Sequence, residues 1–226
     1  MLYALLYPLH ESISFLNVFK YITFRTFGAL ITALVLYFLI GRWVIRFFHR
    51  SNLTQVIRDD GPQSHLQKKG TPTMGGLAIL FATLISSLLW IDLGNNHFWV
   101  TIVVLLTYGL IGFYDDYCKI RYGSSRGLRA RSKFLLQVLC AFLIGILLMS
   151  FLKIDTTLAF PFFKNFRLDL GLLYPLFAVL VIVGTSNAVN LTDGLDGLAT
   201  VPLIFSFATY GILAYIAGHI KIAAYL

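Results

Sequence analysis

The chain has 226 residues, of which 58% are hydrophobic and only 12% are charged, and its mean hydropathy is +0.79. A soluble domain of this length needs far more polar surface, so the composition excludes that class and indicates an integral membrane protein. The formal net charge of +8 does not indicate nucleic-acid binding, because the basic residues flank apolar runs, as membrane-orientation signals do.

Apolar runs long enough to cross a bilayer, which takes about 20 residues, recur along the chain. Their residues do not alternate between apolar and polar as the strands of a membrane barrel do. The predicted fold is therefore an all-α integral membrane protein with about six transmembrane helices, in a single transmembrane domain that covers residues 1–226. The predicted helices are, in chain order, Phe24–Ile45, Gly75–Ile91, Phe98–Tyr114, Phe134–Leu152, Leu170–Val189 and Gly197–Gly218.

The basic residues are distributed unevenly between the two sides of these predicted helices. When the loops are assigned to alternate sides, twelve of the 18 Lys and Arg residues fall on one side. The positive-inside bias places that side in the cytoplasm, so the N-terminus is predicted to be periplasmic and the polar motifs to lie in cytoplasmic loops. The twelve are Arg42, Arg46, Arg50, Arg58, Lys68, Lys69, Lys119, Arg121, Arg126, Arg129, Arg131 and Lys133.

The first of these loops contains "RDDGPQSHLQKKGTPTMGG", which runs from Arg58 to Gly76. Lys68 and Lys69 stand beside a segment rich in Gly and Thr that leads into a helix, where backbone N–H groups add positive potential. Two lysines and a helix N-terminus together are suited to bind the negative charges of a pyrophosphate. The alternative is a flexible loop that carries only orientation charges, and the Gly-Lys-Ser/Thr ending of a Walker loop is missing.

The second motif, "GFYDDYCKIRYG", follows the third predicted helix. Its adjacent carboxylates, Asp115 and Asp116, are suited to hold Mg²⁺ at a water-filled helix mouth and to share it with a substrate phosphate. The alternative is that Asp116 faces water while Asp115 pairs with Lys119 one turn along. The basic segment that comes next, "KIRYGSSRGLRARSK", is interpreted as an anchor for anionic headgroups.

The third motif, "NAVNLTDGLDGLA", lies between the last two apolar runs. Asn187, Asn190, Asp193 and Asp196 recur at every third residue, a spacing that lines one curved face of a helix. The two Asp-Gly pairs predict a break in the helix and allow a ligand to approach the backbone. Carboxamides and carboxylates suit a pyrimidine edge, ribose hydroxyls and metal-bound water. The alternative is a polar turn in which Asp196 caps the next helix.

In this order and at this spacing, the three motifs resemble the first three cytoplasmic motifs of the phospho-N-acetylmuramoyl-pentapeptide transferase family. The resemblance implies a bacterial inner-membrane enzyme that moves the phospho-sugar of UDP-N-acetylmuramoyl-pentapeptide to undecaprenyl phosphate and releases UMP. Mg²⁺ is the implied cofactor. The implied partners are the two substrates and the lipid bilayer, without nucleic acid, and a homodimer is compatible with the sequence.

The resemblance also implies roles for individual residues. Lys68 contacts the phosphates of the sugar nucleotide. Asp115 and Asp116 act at the acceptor phosphate and the metal, Asp115 as base or nucleophile, and both direct transfer and a covalent intermediate are compatible with the motifs. The nucleotide side of the site is implied to consist of Asn187, Asn190, Asp193, Gly194, Leu195 and Asp196.

The chain departs from the family pattern at its end. It stops at "IKIAAYL", soon after the sixth predicted helix, whereas the family continues with more helices, a Phe-Met-Gly-Asp segment and a histidine cluster. Because these segments are absent, the sequence predicts a truncated form. Among the absent residues is the Asp of the Phe-Met-Gly-Asp segment, which is expected to be a main metal ligand. An inactive form that binds sugar nucleotide or lipid is the first alternative function. A small-solute transporter with interrupted helices is the second, although the acids cluster at one membrane face rather than at the midplane.

Overall fold

A computed structural model describes residues 1–50, 74–122, 127–160, 163, 166–193 and 197–218. The helices in these ranges are α1 (Leu2–Leu6), α2 (Ile22–Arg50), α3 (Gly76–Trp90), α4 (Asn96–Arg121), α5 (Ala130–Ser150), α6 (Tyr174–Thr192) and α7 (Thr200–Gly218). The antiparallel strands β1 (Thr157–Ala159) and β2 (Arg167–Asp169) form a hairpin. Short 3-10 helices cover Tyr7–Glu11, Ser14–Lys20 and Gly171–Leu173.

The long apolar helices confirm the prediction of an all-α integral membrane protein. Within the described ranges, α2, α4, α5, α6 and α7 are the five helices long and apolar enough to cross a membrane. The prediction of a full span at Gly75–Ile91 is corrected, because α3 has only 15 residues. At about 1.5 Å per residue it extends about 22 Å, less than the ~30 Å hydrocarbon core. It ends where Ile91 adopts an extended backbone conformation.

Two predicted helix ends differ from the observed ones at the polar motifs. Helix α4 continues past the predicted end at Tyr114 to Arg121, so Asp115 and Asp116 lie on its last turns rather than beyond it. Basic residues in that last turn favour the extension, because they complement the negative end of the helix dipole. Helix α6 ends at Thr192, which confirms the predicted break at the Asp-Gly pairs.

Small residues and partly buried side-chain hydrogen bonds hold α2 against α3. The Ser86 hydroxyl donates to the carbonyl of Ala29 at 2.6 Å, and the Trp90 indole N–H donates to the Thr32 hydroxyl at 2.9 Å. Gly28 faces the Trp90 ring so closely that a Cβ atom there would lie 2.4 Å from it. A residue without a side chain therefore lets the two helices approach, as in many membrane helix pairs.

Helix α5 lies between α4 and α6 and packs against both. Its Ala141 is fully buried, and a Cβ atom on Gly145 would lie 2.7 Å from the Cα atom of Pro175 in α6. Small side chains thus bring the α5 and α6 backbones together. Helix α7, by contrast, has no buried residue.

The end of the bundle at which α2 begins and α3 ends carries structure that the sequence did not predict. Here the amino group of Met1 donates to the carbonyl of Ile91 at 2.8 Å, and the ring of Phe19 stacks on Trp90. The β1–β2 hairpin connects α5 and α6 at the same end, which we call the hairpin end. Strands of three residues are too short to give a periodic signal, so they were missed.

Candidate active site

At the opposite end of the bundle, which we call the pocket end, α3, α4, α5 and α6 surround a pocket of about 270 Å³. All three predicted motifs reach it, through Gly76 of the first, Asp115 and Asp116 of the second and Asn190 of the third. Segments far apart in sequence therefore meet at one place. The charged and hydrogen-bonding side chains that line the pocket are Tyr108, Asp115, Asp116, Lys119, Lys133 and Asn190.

Asp115 is the most enclosed charged group of the pocket, with 6% of its surface exposed. Its Oδ2 atom lies 3.0 Å from the Lys119 ammonium and 3.1 Å from the Lys133 ammonium. Its Oδ1 atom accepts a hydrogen bond of 2.9 Å from the backbone N–H of Leu128. A carboxylate that leaves water must recover these interactions within the protein, and Asp115 does so from three segments.

Gly127 fixes the loop that donates to Asp115. Its φ is +57°, and a Cβ atom on it would lie 2.6 Å from Asp115 Oδ1 and 2.9 Å from Lys119 Cε. Both the backbone conformation and the lack of space require glycine. This arrangement presents the N–H of Leu128 to the carboxylate.

The basic segment after α4 therefore belongs in part to the site, which sequence reasoning missed. It was interpreted as a headgroup anchor, yet it supplies Lys133 and Leu128 to Asp115. The glycines in this run, which is rich in basic residues, were the one signal of a precise backbone role. Nothing in the sequence pattern distinguished Lys133 from its basic neighbours.

Lys119 links the two adjacent carboxylates of α4. Its ammonium lies 2.8 Å from Asp116 Oδ1 and 3.0 Å from Asp115 Oδ2, which are three and four residues back along the helix. The pairing of Asp115 with Lys119, weighed above as an alternative, is therefore present. It does not leave Asp116 in water alone, because Asp116 shares the same lysine and lines the pocket.

The third motif contributes unequally to the pocket. Asn190 lines it, whereas neither Asn187 nor Asp193 does. Asp193 is the exposed C-cap residue of α6. The Asn187 amide donates to Gln137 Oε1 and to the carbonyl of Val183, each at 2.9 Å. The predicted continuous polar face therefore brings only one of these three side chains, that of Asn190, to the pocket.

Four of the predicted site residues, Lys68, Gly194, Leu195 and Asp196, lie outside the described residues. In the part of the chain that the structure does describe, no group of three His, Cys, Asp or Glu residues is close enough to hold a metal. Besides the hydroxyl of Tyr108, the side-chain oxygens that line the pocket belong to the carboxylates of Asp115 and Asp116 and the carboxamide of Asn190. Mg²⁺ characteristically takes one or two protein carboxylates and completes its shell with water and substrate phosphate, so this donor set fits it.

Comparison with known proteins identifies the class of the chain. The model of glycosyl transferase family 4 matches residues 98–226, which is more than half of the chain. The chain belongs to glycosyl transferase family 4. With its apolar helices and its bacterial relatives, it is an integral protein of the bacterial inner membrane.

Closer comparisons point to one branch of that family. Residues 68–80 match the phospho-N-acetylmuramoyl-pentapeptide-transferase signature 1. Over its whole length, the chain is 52% identical to the phospho-N-acetylmuramoyl-pentapeptide-transferase of Syntrophus aciditrophicus and 53% identical to that of Desulfosudis oleivorans. The chain spans 63% of the length of these curated relatives. The resemblance that the three motifs carry is thereby confirmed.

Proposed function

We propose that the chain transfers phospho-N-acetylmuramoyl-pentapeptide from its UDP-activated form to undecaprenyl phosphate and releases UMP. The observation that carries this proposal is the convergence of Asp115, Asp116, Lys119, Lys133 and Asn190 on one pocket at the ends of membrane helices. A lipid phosphate can reach such a pocket while its tail stays in the bilayer. A sugar nucleotide reaches the same pocket from water. The names of the relatives support this particular pair of substrates.

The proposed reaction exchanges one phosphorus–oxygen bond for another. An oxygen of undecaprenyl phosphate attacks the phosphorus that carries the sugar. The bond from that phosphorus to the bridging oxygen breaks, and UMP leaves with the electron pair. A phosphate monoester has a second pKa near 6 and is largely ionised at neutral pH, so the attacking oxygen needs no strong base.

This chemistry favours an electrostatic role for Asp115 over that of a base. Both of its oxygens already accept from donors in the protein, and two of those donors are the ammonium groups of Lys119 and Lys133. The carboxylate therefore holds two positive charges at the edge of the pocket. From there, the lysines are placed to stabilise phosphate oxygens, since phosphoryl transfer depends mainly on positioning and charge neutralisation.

Charge balance supports the proposal of a further cation, Mg²⁺, at the pocket. The two carboxylates and the two lysines at the pocket cancel one another. The substrate phosphates add negative charge that these four groups leave uncompensated. Mg²⁺ held by Asp115 and Asp116 would supply positive charge to the phosphate oxygens, and by family resemblance Lys68 would do the same.

The nucleotide side of the site is assigned to the third motif. Asn190 lines the pocket with its carboxamide, which supports contact with the sugar nucleotide. Asp193 is exposed at the end of α6, just before Gly194, Leu195 and Asp196. We assign these residues to the uridine and ribose, for which carboxylate and backbone groups are suitable partners.

The decisive test is UMP release by the purified chain in detergent. The assay contains UDP-N-acetylmuramoyl-pentapeptide, undecaprenyl phosphate and Mg²⁺, and the expected result is release that needs all three. Undecaprenol, which lacks the phosphate, is the matched control acceptor and should give none. Folded protein that binds the sugar nucleotide without releasing UMP would instead support an inactive binding form. Solute flux in liposomes would support a transporter.

A further inference from the structure

We propose that Gln137 and Asn187 are positioning residues that fix α6 on α5 and thereby set the separation between Asn190 and Asp115 across the pocket. The positioning itself rests on geometry alone. Its consequence for catalysis rests on the proposed function.

Gln137 is a buried polar side chain at which three helices meet. It is 4% exposed, and its Oε1 atom accepts a hydrogen bond of 2.9 Å from the Asn187 amide of α6. Its backbone carbonyl accepts one of 3.0 Å from the Tyr108 hydroxyl of α4. Buried polar groups that lose such partners cost free energy, so the pair favours one arrangement of these helices over shifted ones.

The hydrogen bonds of Asn187 separate its role from that of a substrate ligand. A carboxamide has two N–H groups, and those of Asn187 donate to Gln137 Oε1 and to the carbonyl of Val183. Donation to a nucleotide would require one of these bonds to break. We therefore assign Asn187 to positioning, and leave Asn190, one turn along α6, to contact the ligand.

Helix α5 carries on one face the two side chains that hold its neighbouring helices, Lys133 and Gln137. Lys133 and Gln137 are four residues apart, which places them side by side on the helix surface. Lys133 holds Asp115 of α4, and Gln137 holds Asn187 of α6. The helix therefore acts as a spacer between the carboxylate and the carboxamide that face the pocket.

The first test measures this separation without any activity. Spin labels replace Tyr117 on α4 and Leu191 on α6, which are 47% and 81% exposed, in a chain with Cys118→Ala and Cys140→Ala. Electron–electron distance measurements should give one narrow distribution, which Gln137→Leu or Asn187→Leu shifts or broadens. Ser150→Ala is the matched control, because it removes a side-chain hydrogen bond at the far end of α5. A Gln137→Leu distribution identical to that of the parent protein would overturn the proposal.

The second test asks whether the separation matters for the reaction. Gln137→Leu and Asn187→Leu should each lower kcat for UMP release about tenfold, within the hundredfold that a misplacement of about 1 Å can cost. The double variant should lose no more than the worse single one, because both remove the same interaction. A second double variant, Gln137→Asn with Asn187→Gln, exchanges the two side chains and keeps their combined length. Its kcat should be much closer to that of the parent protein than the kcat of the Leu variants is.

The two tests separate the two proposals. A parent chain that releases no UMP but shows the distance change would contradict the proposed function and support the positioning. Variants with shifted distances and an unchanged kcat would overturn the catalytic part of the inference. Because Gln137→Leu risks misfolding, the near-isosteric Gln137→Glu, which keeps an oxygen acceptor for Asn187, is measured beside it. The spin-label distance distribution of Gln137→Glu should lie closer to that of the parent protein than the distribution of Gln137→Leu does.

Discussion

At the pocket end, Asp115 is 6% exposed and receives partners from α4, from α5 and from the loop between them. At the hairpin end, Asp155 and Asp169 are exposed, and their hydrogen bonds stay within or beside the hairpin, to Thr157, Thr156 and Gly171. Aspartate thus stabilises a local turn at the hairpin end, whereas at the pocket end it binds segments that are distant in the sequence. Burial and the sequence separation of its partners distinguish a site carboxylate from a structural one.

Two glycines repeat this contrast. Gly127 and Gly171 both have positive φ, of +57° and +46°. A Cβ atom on Gly127 would meet Asp115, whereas one on Gly171 would meet nothing within 4 Å. The hairpin end therefore needs only the backbone conformation, while the pocket end also needs the empty space.

The largest expected effect is that of Asp115→Asn. The amide keeps the shape but leaves Lys133 without its buried counter-charge and Lys119 with Asp116 alone, and UMP release should fall about 100-fold to 1000-fold, as for the loss of a main electrostatic group. Asp155→Asn at the hairpin end is the control and should change the rate less than about twofold, since surface substitutions away from such features have small effects. An Asp115→Asn chain that retains most of its activity would remove the distinction between the two ends.

Gly127→Ala should have the next largest effect. The left-handed backbone costs alanine about 1 kcal/mol, and the new methyl group must displace Asp115 or Lys119, so we expect about a tenfold loss of UMP release as well as a lower Tm. Gly171→Ala carries the same backbone cost without the clash. It should lower Tm by less than Gly127→Ala does and leave the rate unchanged. Equal losses of activity in both variants would show that strain alone is responsible.

Gly28→Ala tests the helix contact near the hairpin end. The added methyl group overlaps the Trp90 ring, so the free energy of unfolding should fall by about 1–3 kcal/mol, the usual cost of overpacking. The KM for the sugar nucleotide should not change. The control is Gly211→Ala on α7, which has open space and should be neutral or slightly stabilising. A changed KM in Gly28→Ala would mean that the two ends are coupled.

The smallest effect concerns the pH dependence of the hairpin. The Thr156 hydroxyl, and then the Gly171 N–H, hold the pKa of Asp169 below its usual 3.8. Because the pKa in the folded chain is lower, the ionised carboxylate stabilises the hairpin above about pH 3.8, and this contribution is lost as the pH falls through the lower value. A carboxyl ¹³C NMR titration should show a midpoint below 3.8 that moves upward in Thr156→Val. An unchanged midpoint would mean that the hydroxyl has no such influence.

The polar motifs were predictable because their residue types are costly beside apolar helices. Asp115, Asp116 and Asn190 stood out for this reason, and the structure places all three at one pocket. Gln137 and Lys133 were not predictable, since a single glutamine or lysine near a helix end has no pattern of its own. Their importance comes from partners that lie 50 and 18 residues away in the sequence.

The sequence by itself determined the class of protein, the approximate positions of its membrane helices and the identity of the motifs. Those properties follow from local composition, because a hydrocarbon environment selects long apolar runs and makes every polar exception conspicuous. Only the tertiary structure decided that α3 is short and that Asn187 holds Gln137 rather than lining the pocket. Such outcomes depend on which helix faces meet, and packing across the bundle sets this rather than the pattern along any one segment.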